Sequence, residues 1–153
     1  MSFIKILNQG EKQEIEKNLN KQFGTDEIPG MLIKRGEEKI FLFQGSLNEK
    51  QIKKLAETVP VEGIGIYFAK EINGEFKPSI EGAQIIKEQI KKNIFEVNEE
   101  QAEKWMMGQE LNIKTGKTGF MIMKYGEDVL GCGKASEEKI SNFIPKTRRL
   151  KAK

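Results

Sequence analysis

Three short groups of residues could do chemistry in this chain. They are the glycine-bounded loop Thr115-Gly116-Lys117-Thr118-Gly119, the lone thiol Cys132 between Gly131 and Gly133, and the adjacent arginines Arg148 and Arg149. Glycine lets backbone N–H groups approach an anion and lysine adds charge, so the first group suits a phosphate. It is not a Walker loop, because the Gly-x-x-x-x-Gly-Lys-Ser/Thr spacing is absent and an apolar strand follows where a helix would be needed. A plain connection between strands and an RNA contact both fit it. Cys132 reads as a small buried apolar residue, since no base can be named to activate it. Lys134, one step past Gly133, faces either solvent or a ligand. The only other arginine is Arg35, and lysine is otherwise the default cation. The Arg148-Arg149 pair therefore marks a place that uses planar, bidentate contact with phosphate or carboxylate.

What the chain lacks is equally informative. With no histidine and one cysteine it can form neither an internal disulfide nor a common zinc site. The usual neutral-pH base, the Ser-His and Cys-His pairs and the histidine pH switch are excluded too. An enzyme would have to rely on Lys, Glu or Asp, and no spacing brings carboxylates together. Composition thus points to binding without a cofactor. Net charge is only +3, so distribution matters more than sum. From Lys139 to Lys153 the basic residues Lys139, Lys146, Arg148, Arg149, Lys151 and Lys153 occur with no acidic residue among them. Such a stretch is a solvated tail or, directly after a strand, a phosphate-binding edge. No apolar run approaches the length of about 18 residues that suggests a membrane span. Met1 to Ile6 lacks the core and cleavage site of a secretory leader, so a cytoplasmic protein is expected.

The elements that must position these residues can be read from periodicity. Glu11 to Phe23 carries Ile15, Leu19 and Phe23 at helical spacing and is stopped by Gly24. Met31 to Lys34 and Lys39 to Phe43 form a hairpin. Ser46 and Glu49 have capping-box spacing ahead of a helix bearing Ile52, Leu55, Ala56 and Val59, which ends before Pro60. Val61 to Ala69 and Glu75 to Lys77 flank Asn73-Gly74, a type I′ turn signal. Pro78 and Ser79 open a third helix with Ala83, Ile86 and Ile90 on one face. Together these segments predict an α+β domain with helices on an antiparallel sheet.

The second half changes character. Ile94 to Val97 is a short strand, and Asn98 with Gln101 caps a helix that carries Ala102, Trp105 and Met106 and ends at Gly108. Trp105 reads as a core residue rather than a stacking surface, and Tyr125 and Phe143 are expected in the core of so small a unit. Leu111 to Ile113, Phe120 to Lys124, Val129 to Lys134 and Ile140 to Ile144 predict four strands, the density of a small closed or nearly closed barrel. The glycines around Cys132 mark a sharp bend or a close backbone approach. The join near Lys91 to Asn93 divides the chain into residues 1–91 and 92–153, with no flexible linker between units that pack rigidly together.

Residues from about Asn93 to Leu150 resemble a PUA domain, an RNA-binding module. The resemblance is strongest to the PUA-like domain of Nop/Sun-type rRNA 5-methylcytosine methyltransferases. It rests on Gly119-Phe120-Met121-Ile122-Met123-Lys124-Tyr125, on Val129-Leu130-Gly131-Cys132-Gly133-Lys134 and on Ile144-Pro145-Lys146-Thr147-Arg148-Arg149-Leu150. Gly65-Ile66-Tyr67-Phe68-Ala69-Lys70 with Asn73-Gly74-Glu75-Phe76 resembles the hairpin that precedes the PUA domain in two-domain ribosome-biogenesis factors, which include an archaeal branch. The first 90 or so residues hold no glycine-rich loop after a strand to bind a methyl donor.

That resemblance implies an α/β pre-PUA domain followed by a mostly-β PUA pseudo-barrel. It implies a non-catalytic monomer that binds structured rRNA or pre-rRNA, or tRNA, in ribosome biogenesis or RNA modification, beside ribosome-assembly or RNA-modifying proteins. It also leaves open a protein-interaction subunit that supplies a PUA module to a separate enzyme. The implied phosphate contacts are Lys114, Lys117, Lys134, Lys146, Arg148, Arg149 and Lys151. The Pro-Gly turn found in many PUA domains is replaced here by Leu111-Asn112-Ile113-Lys114-Thr115-Gly116.

Overall fold

The computed structural model describes residues 4–151. Lys153 of the basic run and Met1 to Phe3 of the segment read for a leader lie outside the described residues. Among the described residues no helix is long and apolar enough to cross a membrane. The fold is α+β, with two sheets and four α-helices among those residues.

The first sheet is antiparallel, in the order β1 (Ile4–Ile6), β2 (Met31–Arg35), β3 (Lys39–Phe43), β4 (Ile66–Ile72), β5 (Glu75–Pro78). Strand β1 is an addition to the sequence reading; it pairs Ile4 with Arg35 and Ile6 with Ile33. Helix α1 (Gln9–Phe23) is closed at its start by a capping box between Asn8 and Glu11, and at its end by Gly24 at φ 77°. Asn73 and Gly74 both take positive φ, as a type I′ turn requires.

Four expectations in this half are corrected. Helix α2 (Glu49–Leu55) is capped by Asn48 and Gln51 rather than by Ser46 and Glu49. Starting there puts the Glu49 carboxylate in the first turn, where the helix dipole favours it. The helix also stops at Leu55, so that Ile52 alone of its expected stripe is buried. Val61–Gly63 forms a 3-10 turn, closed by Gly63 N–H to Pro60 C=O at 2.9 Å, and β4 begins only at Ile66. Helix α3 (Ile80–Ile86) ends before Ile90, because a 3-10 turn at Lys87–Gln89 places the Gln89 side-chain oxygen on the N–H groups of Asp26 and Glu27.

The second sheet is mixed, in the order β6 (Ile94–Glu96), β7 (Gly119–Tyr125), β8 (Asp128–Ala135), β9 (Ile140–Asn142). Strand β6 runs parallel to β7, and the other pairs are antiparallel. Leu111 to Ile113 is not a strand. Leu111 makes one bridge to Ile140, after which Ile113 N–H folds back onto Leu111 C=O at 3.0 Å. Helix α4 (Glu99–Met106) carries the Asn98–Gln101 capping box as read and lays Trp105, fully buried, against the sheet.

The two glycines around Cys132 have separate jobs. Gly131, at φ 100°, sits beside the register shift between Ile122 and Lys124 and bends β8. A Cβ on Gly133 would lie 2.6 Å from the Trp105 ring and 2.9 Å from the Ser141 carbonyl, so its absence admits the indole. The Trp105 N–H then donates to Leu130 C=O at 3.1 Å.

One face of the second sheet packs on α4. The other, with Phe120, Ile122, Val129 and Cys132, joins a single apolar cluster with Leu19 and Phe23 of α1, Phe68 and Phe76 of the first sheet and Ile86 of α3. The join is also hydrogen-bonded: Lys91 N–H donates to Phe23 C=O at 2.8 Å, and Ile122 N–H donates to Asn93 C=O at 2.8 Å.

Candidate nucleic-acid interface

The C-terminal segment after β9 is fastened by a few polar contacts. The Asn142 amide donates to Trp105 C=O at 2.8 Å and Gln109 C=O at 3.0 Å, while its oxygen accepts from Ile144 N–H at 2.8 Å. A 3-10 turn at Lys146–Arg148 follows. Arg149 then turns inward: its Nε donates to Ile144 C=O at 2.9 Å, and its side chain fills the space where a Cβ on Gly108 would be. Leu150 N–H closes the segment onto Met106 C=O at 2.8 Å.

The arginine pair is therefore divided. Arg149 braces the end of α4 from a partly buried position, whereas Arg148 is exposed and pairs with the Glu81 carboxylate in the first turn of α3. Burial raises the Glu81 pKa, but the hydrogen bond and charge of Arg148 outweigh it and hold that carboxyl below its ordinary value. Lys146 and Lys151, exposed on the same segment, have no ion-pair partner among the described residues. Strand register puts the remaining cations at the opposite end of β9. There Lys114 and Lys117 lie on the exposed 112–118 loop and Lys134 lies near the β8–β9 turn. Lys114 stands 3.9 Å from Glu138, and Lys139 pairs with Glu110 at 3.0 Å. The sequence-derived set thus falls into two groups rather than one.

A cleft of about 460 Å³ opens where the halves meet, lined by Tyr67, Lys77, Glu81, Cys132, Phe143 and Arg148 among others. Phe143 is 39% exposed and Tyr125 is 40% exposed, so neither is the core aromatic expected from the sequence. The alternation after Ile140 explains Phe143, since Ile140 and Ile144 point to the α4 side and Phe143 falls on the opposite face, while Tyr125 ends β7 beside the turn at Gly126. The Lys77 ammonium lies 4.3 Å from the Phe143 ring centroid. Phe143 meets Phe120 at 6.2 Å, and the Lys134 ammonium lies 5.3 Å from the Phe120 centroid. Alternating cations and aromatic rings suit an anion that carries a π-system. Burial, then the charge of Lys70, draws Lys77 below the usual lysine value. Burial pushes the Cys132 thiol up to about 12, which leaves it a neutral, inert wall at neutral pH.

Lys77 and Phe143 were not among the sequence-derived contacts. The one signal was the strand alternation that turns Phe143 away from the α4 core. Lys77 had none, because only the packing of β5 against the second sheet brings it there.

Residues 92–150 match the family model described as the methyltransferase RsmF PUA domain. The chain is also 29% identical over 150 residues to the ribosomal RNA small subunit methyltransferase F of Psychromonas ingrahamii. That alignment takes in 94% of this chain and 30% of the relative, so the chain spans less than a third of the relative's length. Both halves of the chain, not the second alone, share in the similarity.

Proposed function

We propose, from a chain whose residues 92–150 are a PUA domain similar to that of Nop/Sun-type rRNA methyltransferases, that this protein binds structured rRNA for a modification carried out elsewhere. The observation that carries the reading is the coincidence of that domain with a surface of unpaired cations. Lys117, Lys134, Lys146 and Lys151 hold no carboxylate among the described residues and are free to meet phosphates. Methyl transfer belongs to another domain or polypeptide in this reading. The named relative supplies the context, being itself an rRNA methyltransferase.

Phosphate contacts of this kind position an RNA without reading its sequence, and PUA-type binding then depends on helical shape and 2′-hydroxyls. The test is fluorescence anisotropy of a labelled rRNA hairpin across a salt series. If about four phosphates are neutralised, log affinity falls with log salt at a slope of ~3 in magnitude. Changing Lys146 and Lys151 together to Ala lowers affinity for all hairpins alike and flattens that slope by roughly 1–2. Absence of binding at low salt would overturn the reading.

A further inference from the structure

We propose that the cleft between the halves holds one unpaired nucleotide of the bound RNA, its base against Phe143 and its phosphate on Lys77. The proposal rests on the RNA-binding reading and goes further by naming the element of RNA structure recognised. Four observations support it.

The volume of about 460 Å³ suits a small planar group rather than a duplex. Phe143 offers an exposed ring within the cleft, and aromatic rings accept unstacked bases whatever their sequence. Only an unpaired base can present its face, because a paired one is covered above and below by its neighbours. Finally, Lys77 is a partly buried ammonium with no ion-pair partner among the described residues. The Phe143 ring offsets only part of the desolvation of this ammonium, and a phosphate offsets more of it. An acidic peptide would satisfy Lys77 but place nothing against the part of the Phe143 ring that remains exposed. The residues come from β5 of the first sheet and from the segment after β9, so a ligand here touches both halves at once.

The experiment compares two hairpins of the same stem, one fully paired and one with a single bulged 2-aminopurine, on the full chain. Anisotropy reports overall binding, and 2-aminopurine emission reports stacking. The bulged hairpin is expected to bind roughly tenfold more tightly and to be quenched on binding. Phe143→Leu removes both the preference and the quenching, so that the bulged hairpin binds no more tightly than the paired one. Lys77→Met also removes the preference, and Lys77→Arg retains it; because Lys77 and Phe143 are changed independently, a folding defect in one variant leaves the other to decide.

Tight binding of both hairpins with equal affinity, or an unaltered preference in Phe143→Leu, would overturn the cleft assignment and leave the RNA-binding reading intact. Failure to bind either hairpin would remove both. Displacement of the bulged hairpin by an oligoglutamate peptide that binds wild type but not Lys77→Met, with no 2-aminopurine quenching, would assign the cleft to an acidic protein segment instead.

Discussion

At the scale of single residues, the two adjacent arginines separate binding from stability. Arg149 gives a charged hydrogen bond to Ile144 C=O and packs on Gly108, so Arg149→Ala removes an interaction worth about 1.5–3 kcal/mol. A fall in Tm of roughly 3–12 °C is expected by calorimetry for a chain of this size. Arg148 belongs to an exposed ion pair with Glu81, and its loss costs at most about 1 kcal/mol. Arg148→Ala should therefore keep the fold and reduce RNA affinity. A double alanine variant would confuse the two effects. The pair also has a pH signature. The Glu81 carboxyl lies below its ordinary value of 4.5 in the folded chain, so the stability it adds is present above that value and drains away as pH falls through the folded one. Solvent screening keeps the contribution small at this half-exposed site. The Tm difference between wild type and Arg148→Ala should accordingly shrink once pH drops below 4.5.

At the scale of elements, β8 shows how closely the sheet is matched to α4. Gly133→Ala puts a methyl 2.6 Å from the Trp105 ring and 2.7 Å from the Ile140 side chain, and overpacking of this kind costs about 1–3 kcal/mol. Chemical denaturation should show a lowered midpoint, and loss of the buried indole environment should red-shift the Trp105 emission. The need for glycine here was legible in the sequence, since glycine weakens a strand and is kept inside one where a bend or a close neighbour requires it. So were the helix ends that depend on local capping, at Gly24 and at Asn98 with Gln101. Local capping misled at the second helix: Ser46 with Glu49 has the spacing of a capping box, but the box that forms is the equally local one between Asn48 and Gln51. Strand β1 was hidden because three residues carry too little periodicity to stand out from a chain end. The parallel pairing of β6 depends on β7, far along the chain, and no turn advertises it. The cleft was illegible for the same reason, since Lys77 and Phe143 acquire meaning only from contact between the halves. Exposed cations such as Lys146 were visible at once because solvation needs no partner.

At the scale of the whole molecule, the principal apolar cluster belongs to both halves, with Phe23, Phe76 and Ile86 on one side and Phe120, Ile122 and Cys132 on the other. The chain is therefore expected to unfold in a single calorimetric transition rather than two. Residues 92–153 expressed alone should give collapsed NMR dispersion, because one face of their sheet would be bare. The parallel ladder at the join also fixes an order of events during synthesis. Strand β6 emerges before its partner and finds no neighbour until Ile122 to Lys124 have been made, and the cluster beneath α1 and α3 stays uncovered until β8 follows. Long-range parallel pairing is slow to form. A nascent chain of this protein therefore keeps the apolar cluster under α1 and α3 open to chaperones until β7 and β8 have both left the ribosome.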